Sequence, residues 1–315
     1  MNVTEAKDIL DKIRTNVEKV IVGKAEAINL VLICLICNGH ALIEDVPGLG
    51  KTTLVSAIAE SVDCSFTRLQ FTPDVLPSDV TGFTMFDLKT NERQFIPGAV
   101  MTQILLADEI NRTNPKTQSA LLQAMQEGQV SVDGITYDLP RPFAVMATQN
   151  PVELTGTYSL PEAQLDRFLM RISIGYPEKN DERQILERNR EKISVANLEA
   201  VTNAETVTKM QDLLDKTICT DLISDYIIDI SRKTREHKEV LLGVSPRGSI
   251  SLMRAAMGEA LLNGRGYVLP DDVHKMLEPV LAHRIILRSK AYAQKNTVPT
   301  ILQEIKQQIA VPAVK

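Results

Sequence analysis

Apolar residues recur at Leu10, Ile13, Val17 and Val20 between polar neighbours, a helical period over residues 4–22 that Gly23 is placed to stop. A more uniformly apolar helix is expected over residues 25–38, leading into a short strand at Ala41–Glu44. Further strands are expected at residues 66–71, 103–107, 143–148 and 169–174. Two of them contain unbroken apolar runs, at 104–107 and 143–147. Strands that read so are buried on both faces, which predicts a parallel sheet covered by helices. The helix between those two strands is marked at both ends. Asn114 can cap it, Pro115 fits its first turn, and Gly128 follows its last residue. Residues 129–139 alternate around Asp133-Gly134, a hairpin signal, and a second hairpin fits between Phe83 and Ile96.

Beyond Tyr176-Pro177 the strand signals stop. Helical patterns follow at 178–193, 204–216, 220–238, 246–262, 271–286 and 299–310. The expected organisation is an α/β domain over residues 1–177, with a leading helix, and an α-helical domain over 178–315.

Composition changes this picture little. With 44% hydrophobic and 24% charged residues, the 315-residue chain can bury a core without disulfides or a structural metal. A formal charge of −5 gives no basic footprint for nucleic acid. The N-terminus shows no signal peptide. The longest apolar run, 30–37, falls short of the roughly 20 residues of a membrane span. The cysteines Cys34, Cys37, Cys64 and Cys219 are expected as thiols in a cytoplasm. Cys34, Cys37 and His40 have a spacing that could serve a metal, but Ile33, Leu35 and Ile36 around them fit a buried helix.

Chemistry concentrates in three strings. Asp45-Val46-Pro47-Gly48-Leu49-Gly50-Lys51-Thr52-Thr53 ends one strand and opens a helix whose apolar face is Leu54, Val55, Ile58 and Val62. Backbone N–H groups at a helix N-terminus bind phosphate, and Gly48 and Gly50 let the chain wrap closely. Lys51 supplies charge to the outer phosphates, and the Thr52 hydroxyl can ligate Mg²⁺. Asp45 stands where the first glycine of G-x-x-x-x-G-K-[ST] belongs, and a carboxylate is an unusual neighbour for a triphosphate. The strand at 104–107 ends in Asp108-Glu109, which suit a metal-holding acid and a general base. Ala147-Thr148-Gln149-Asn150 closes the next strand, where an amide can orient an attacking water. Arg167 and Arg247 are candidates for stabilising charge on a phosphoryl group in transit, although either could be a surface or ion-pairing residue.

Together these strings resemble the AAA+ superfamily and, within it, the MoxR family. DVPGLGKT looks like a Walker A, ILLADEINR a Walker B, ATQNP a sensor-1 segment, LPEAQLDRF an arginine-finger segment and SPRGSISL a sensor-2 helix. RLQFTPDVLPSDVTG, NPKTQSALLQAMQEGQV and DDVHKMLEPVLAHRI are similar to further MoxR strings, so the likeness runs from about Val22 to Ile286. It implies a P-loop α/β/α sandwich followed by an α-helical lid, binding ATP with Mg²⁺. By the same likeness Val46, Pro47, Gly48, Leu49, Gly50, Lys51, Thr52 and Thr53 would cradle the phosphates, with Mg²⁺ held by Thr52 and Asp108. Glu109 would activate water, Asn150 and Arg247 would be the two sensors, and Arg167 would reach a neighbouring subunit's ATP. Gly23 matches a stretch that packs near adenine, and the two hairpins match inserts facing a ring's pore. A ring-forming homo-oligomer, as a hexamer, and separate client proteins with a von Willebrand factor A domain are implied as partners. A GTPase would need an N-K-x-D string, which is absent. A non-hydrolysing scaffold fits poorly with intact Lys51, Asp108 and Glu109, and a DNA translocase would need a basic pore surface.

Overall fold

The computed structural model describes residues 1–87, 91–150, 157–289 and 297–312. Five strands form one parallel sheet: β1 (Ala41–Glu44), β2 (Phe66–Gln70), β5 (Ile104–Asp108), β8 (Ala144–Gln149) and β9 (Met170–Ile172), in the order β2-β5-β8-β1-β9. Three expected strands, at 66–71, 103–107 and 143–148, shift by a residue at one or both ends, and that at 169–174 shortens to three residues.

Strand periodicity divides the core between the two faces of this sheet. Ala41, Ile43, Ile104, Leu106, Ala144, Met146, Met170 and Ile172 point to one side. There they meet α1 (Val3–Val17), α2 (Ala25–Ile36), α3 (Lys51–Ser61) and the helices of the second half. Leu42, Leu105, Ala107, Val145 and Ala147 point to the other side, against Leu121, Leu122 and Met125 of α5 (Pro115–Glu127). The result is an α/β/α sandwich followed by a helical lid.

Local signals explain the boundaries. Asn2 and Glu5 close a capping box at the start of α1, which ends at Val17, so the loop to α2 is longer than Gly23 as a stop suggested. Asn114 accepts from the backbone N–H groups of Lys116 and Thr117, and Gly128 takes a left-handed φ of 64° just past α5. Both hairpins form. The first pairs β3 (Gly82–Asp87) with β4 (Glu92–Pro97), after the short α4 (Pro77–Thr81). The second pairs β6 (Gln129–Val132) with β7 (Ile135–Asp138). Phe95 and Tyr137 stack at 3.9 Å and join the two.

After the one-turn α6 (Glu162–Leu165) and β9, the second half contains α7 (Lys179–Arg190), α8 (Ala204–Leu214), α9 (Asp221–Glu236), α10 (Pro246–Leu262), α11 (Pro270–Leu281) and α12 (Val298–Gln308). It is not wholly helical. β10 (Val240–Leu242) pairs antiparallel with β11 (Ile286–Leu287). The helix expected to reach residue 286 ends at Leu281 in a 3-10 turn that carries Arg284 into the junction between the halves. Strands of three and two residues are too short to give an alternation.

Candidate functional site

The cleft lies at the carboxyl ends of the parallel strands, where loops from β1, β2, β5 and β8 converge. Between β1 and α3 the chain turns through Gly48 (φ 87°) and Gly50 (φ 81°), a left-handed backbone that a side chain would strain. A Cβ built on either would meet open space, so the glycines serve a curved main chain and an approach by something outside it. α3 then begins at Lys51, leaving its first N–H groups without helical acceptors. Lys51 Nζ donates to the Asp45 carbonyl at 2.7 Å. Partial withdrawal from water lowers its pKa, against the opposing pull of Asp108, Asp45 and Glu109.

Asp45 does not face the phosphates. Its buried carboxylate accepts from the Ile174 backbone N–H, from Ser173 Oγ at 3.1 Å and from the Gly175 N–H at 3.3 Å. A residue in the glycine position thus caps the end of β9 and ties the loop to the chain leaving the sheet.

The two acids ending β5 are held differently. Asp108 Oδ1 accepts from Thr148 Oγ1 at 2.6 Å, and Oδ2 accepts from Arg68 at 2.6 and 3.2 Å. Glu109 is a non-glycine residue at φ 56°, a strained conformation that turns its side chain off the line of the strand. Its N–H donates to Thr148 Oγ1 at 2.8 Å, and its carboxylate takes Gln70 Nε2 at 2.8 Å and lies 3.3 Å from Arg112. Thr148 therefore holds both acids from β8. Asn150 is buried and lines the same cleft.

Lys51, Thr52, Asp108, Glu109 and Asn150 are thus brought together with Gly48 and Gly50 around a volume of about 400 Å³. A second hollow of about 310 Å³ adjoins it, sharing Gly48, Gly50 and Thr53. Val22, Leu49, Pro177 and Ile185 give that hollow apolar walls suited to a base. Pro47 lines the first hollow, and Val46 lines neither. Gly23 faces a neighbouring cavity, where a Cβ would collide with the Asp181 carboxylate. The donor set fits Mg²⁺ and a nucleoside triphosphate: oxygen ligands at Thr52 and Asp108, a cation at Lys51, open glycines and an apolar annex.

Arg167 and Arg247 are elsewhere. They line a separate cavity of about 230 Å³ with His40, Met125, Asp166 and Arg254. Arg167 donates to the Leu122 carbonyl at 2.8 Å, while its buried Nε has no partner. Asp166 pairs instead with Arg284 Nε at 2.7 Å and Ser245 Oγ at 2.9 Å, and no ion pair joins it to Arg167 among the described residues. Buried Arg284 also donates to the carbonyls of Phe168 and Leu169, fastening the lid to the segment before β9.

His40 is a core residue. Nδ1 accepts from the Val145 N–H at 3.0 Å, which makes Nε2, 3.0 Å from the Met125 carbonyl, the donor. Burial lowers its pKa to about 4 and raises that of buried Cys37 to about 12, so this string is packed as a helix end. Arg68, Gln70, Arg112, Thr148 and Arg284 join these sites without a role expected from their sequence. A signal existed for the first two, polar residues spaced by two in a strand beside the acidic one.

Among the described residues no helix is long and apolar enough to cross a membrane. The family model of the ATPase family associated with various cellular activities (AAA) matches residues 40–170, and the AAA lid domain model matches 232–305. The uncharacterized protein YeaC of Bacillus subtilis is 49% identical, over 96% of this chain and 95% of its own. Chaperone MoxR1 of Mycobacterium tuberculosis is 37% identical, over 97% of this chain and 83% of its own. A crystal structure of a candidate ATPase from Cytophaga hutchinsonii superposes with a TM-score of 0.92 at 36% identity, covering 99% of this chain and 97% of that one. Family models, full-length relatives and fold agree: the chain belongs to the AAA ATPases and, within them, to the MoxR family.

Proposed function

We propose that this chain hydrolyses Mg-ATP as a ring-forming, chaperone-like ATPase that remodels or activates partner protein complexes. The observation that carries the reading is the gathering of Lys51, Thr52, Asp108, Glu109 and Asn150 in one cleft beside an apolar annex. Lys51 and the N–H groups opening α3 bind the phosphates, and Thr52 and Asp108 hold Mg²⁺, which neutralises phosphate charge. Glu109 takes the proton of the attacking water, and Asn150 orients that water. The chain divides functionally at Pro177, into 1–177 and 178–315.

The ring follows from the arginines. Arg167 and Arg247 share a cavity apart from the cleft, which supports action of Arg167 on the ATP of an adjoining subunit, with Arg247 as the second sensor on the lid. An arginine finger in trans stabilises the charge of the transferring phosphoryl group. Six subunits, operating in the cytoplasm, complete the proposal. Client contact is assigned to the joined hairpins, whose Phe83, Met85, Phe86 and Ile135 are exposed. A chaperone role is supported by the name of the mycobacterial relative, and the proposed client is a separate chain carrying a von Willebrand factor A domain.

The test is hydrolysis rate per subunit against protein concentration, with assembly followed by sedimentation. Rate and assembly should rise together. A flat rate down to concentrations at which only monomers sediment would remove the ring from the mechanism.

A further inference from the structure

The phosphate cleft contains a second cation that the reading above does not use. Arg68 and Gln70 lie two residues apart on the edge strand β2, so both side chains emerge on one face. The strand register sets Gln70 beside Asp108. Arg68 donates from Nε at 3.2 Å and from Nη2 at 2.6 Å, both to Oδ2 of Asp108. The same Nη2 reaches Gln70 Oε1 at 3.3 Å, and Gln70 Nε2 donates to Glu109 Oε2 at 2.8 Å. The two acids ending β5 are therefore linked through side chains of the next strand.

Exposure gives this link a direction. The Asp108 side chain is 12% exposed and that of Arg68 is 50% exposed. A carboxylate so far removed from water needs a counter-charge, and Arg68 supplies it from an arm half in solvent. Thr148 engages Oδ1 and Arg68 donates twice to Oδ2, so a cation that takes Oδ2 must compete with Arg68.

We propose that Arg68 is the resident counter-cation of Asp108, and that it must release Oδ2 of Asp108 before that oxygen can hold Mg²⁺. The proposal rests on Asp108 being a magnesium-holding residue. It makes Arg68 a positioning residue, acting on the metal through the Asp108 carboxylate. Two consequences have opposite signs. Without Mg²⁺, Arg68 adds positive charge to a cleft that receives polyphosphate, and so favours metal-free ATP. With Mg²⁺, Arg68 competes for Asp108 and raises the concentration of metal required.

The full-length protein is titrated with a fluorescent, non-hydrolysable ATP analogue, first in a chelator and then at rising Mg²⁺. Wild type is compared with Arg68→Ala, Arg68→Lys and Asp108→Asn, each checked by thermal melting. In Arg68→Ala the Mg²⁺ half-point should fall about three- to tenfold while metal-free affinity weakens by a similar factor, with Arg68→Lys between. In Asp108→Asn the Mg²⁺ dependence of affinity should disappear. An unchanged half-point in Arg68→Ala, with Asp108→Asn behaving as expected, would overturn the role of Arg68 alone. So would both affinities of Arg68→Ala dropping together with the melting temperature. Wild-type Mg²⁺ dependence in Asp108→Asn would instead remove the assignment of Asp108, and the proposal with it.

Discussion

The phosphate cleft and the arginine cavity are both walled by charged side chains, yet they treat charge in opposite ways. In the cleft, each principal charge is answered from within the chain: Lys51 by a carbonyl, Asp108 by Arg68, Glu109 by Gln70 and Arg112. In the cavity, Asp166, which could have answered Arg167, is committed to Arg284 and Ser245, and the buried Nε of Arg167 is left without a partner. An unpartnered buried donor costs about 1–3 kcal/mol. The cleft can stand alone, with ligands entering by exchange of partners. The cavity leaves that donor open, as the proposed action of Arg167 on a neighbouring subunit's ATP requires. On the proposed mechanism, that contrast separates the part of the ATPase cycle a monomer holds from the part needing a neighbour.

The sharpest way to break the contrast is Arg167→Ala. A trans-acting arginine is worth about 10³–10⁵ in turnover, or roughly 4–7 kcal/mol of barrier. The variant should bind ATP as wild type does and hydrolyse it more slowly by that factor. Mixed with Lys51→Ala, which keeps the arginines but lacks a working phosphate site, it should regain activity through mixed interfaces. A less stable protein with no rescue on mixing would return Arg167 to a packing role through its bond to Leu122.

The next largest effect lies in the cleft itself. Glu109→Gln keeps the bulk of the side chain and a partner for Gln70 but removes the base, so turnover should fall by about 10²–10⁴. Mixing Glu109→Gln with Lys51→Ala must fail to help, since both defects are in cis. ATP affinity measured by equilibrium binding should persist. Turnover near wild type would show that another group activates the water.

How much of this was legible depended on whether a residue acts through its neighbours in sequence. Lys51, Thr52, Asp108, Glu109 and Asn150 stand where a loop or strand-end pattern places them, and the structure gathers all five. The sheet was legible for the same reason, since Ile104 to Ala107 are apolar on both faces and leave a strand no other place. Arg247 is legible as a sensor at the start of a lid helix, but only the packing of α10 sets it beside Arg167. The use of Asp45 could not be read at all, because its partners Ser173, Ile174 and Gly175 lie about 130 residues away in the chain. Arg284 is similar. Nothing near it in sequence announces that its guanidinium will be buried against Asp166 and the carbonyls of Phe168 and Leu169.

Arg284 also shows what keeps the arginine cavity in shape. Its side chain is 2% exposed and that of Asp166 is 22% exposed. Breaking one partner of a buried pair costs about 3–5 kcal/mol. Arg284→Met should lower stability by about that much, at the lower end because Asp166 retains some water. Turnover per assembled subunit should fall too, because Arg167 sits next to the carboxylate that Arg284 anchors. Chemical denaturation and concentration-normalised rates distinguish the effects. A destabilised variant whose assembled rate is unchanged would show that the Arg284–Asp166 tie holds the lid without placing Arg167.

The smallest effect is a test by pH of the same cavity from its inner wall. His40 lines it, bonded to Met125 and Val145 as a neutral ring that accepts at Nδ1. Its folded pKa is lowered from 6.5 to about 4, first by burial and then, against the Met125 bond, by the charge of Arg247. A depressed folded value means that the neutral ring contributes stability in full above pH 6.5. That contribution is lost as pH falls towards 4, with an upper bound of about 3 kcal/mol. His283, also buried, is lowered in the same direction, so the wild-type curve contains both residues. The informative quantity is therefore the difference between wild type and His40→Gln, whose amide can donate to Met125 and accept from Val145 without titrating. Melting temperatures from pH 7.5 to 4.5 should fall less steeply in His40→Gln. Removing Arg247 should make the fall smaller and end it at a slightly higher pH, because one cation no longer opposes protonation of the folded ring while the unfolded value is unchanged. Parallel curves for wild type and His40→Gln would mean that the imidazole titrates alike in folded and unfolded chains, and the cavity wall would then be wetter than its packing suggests.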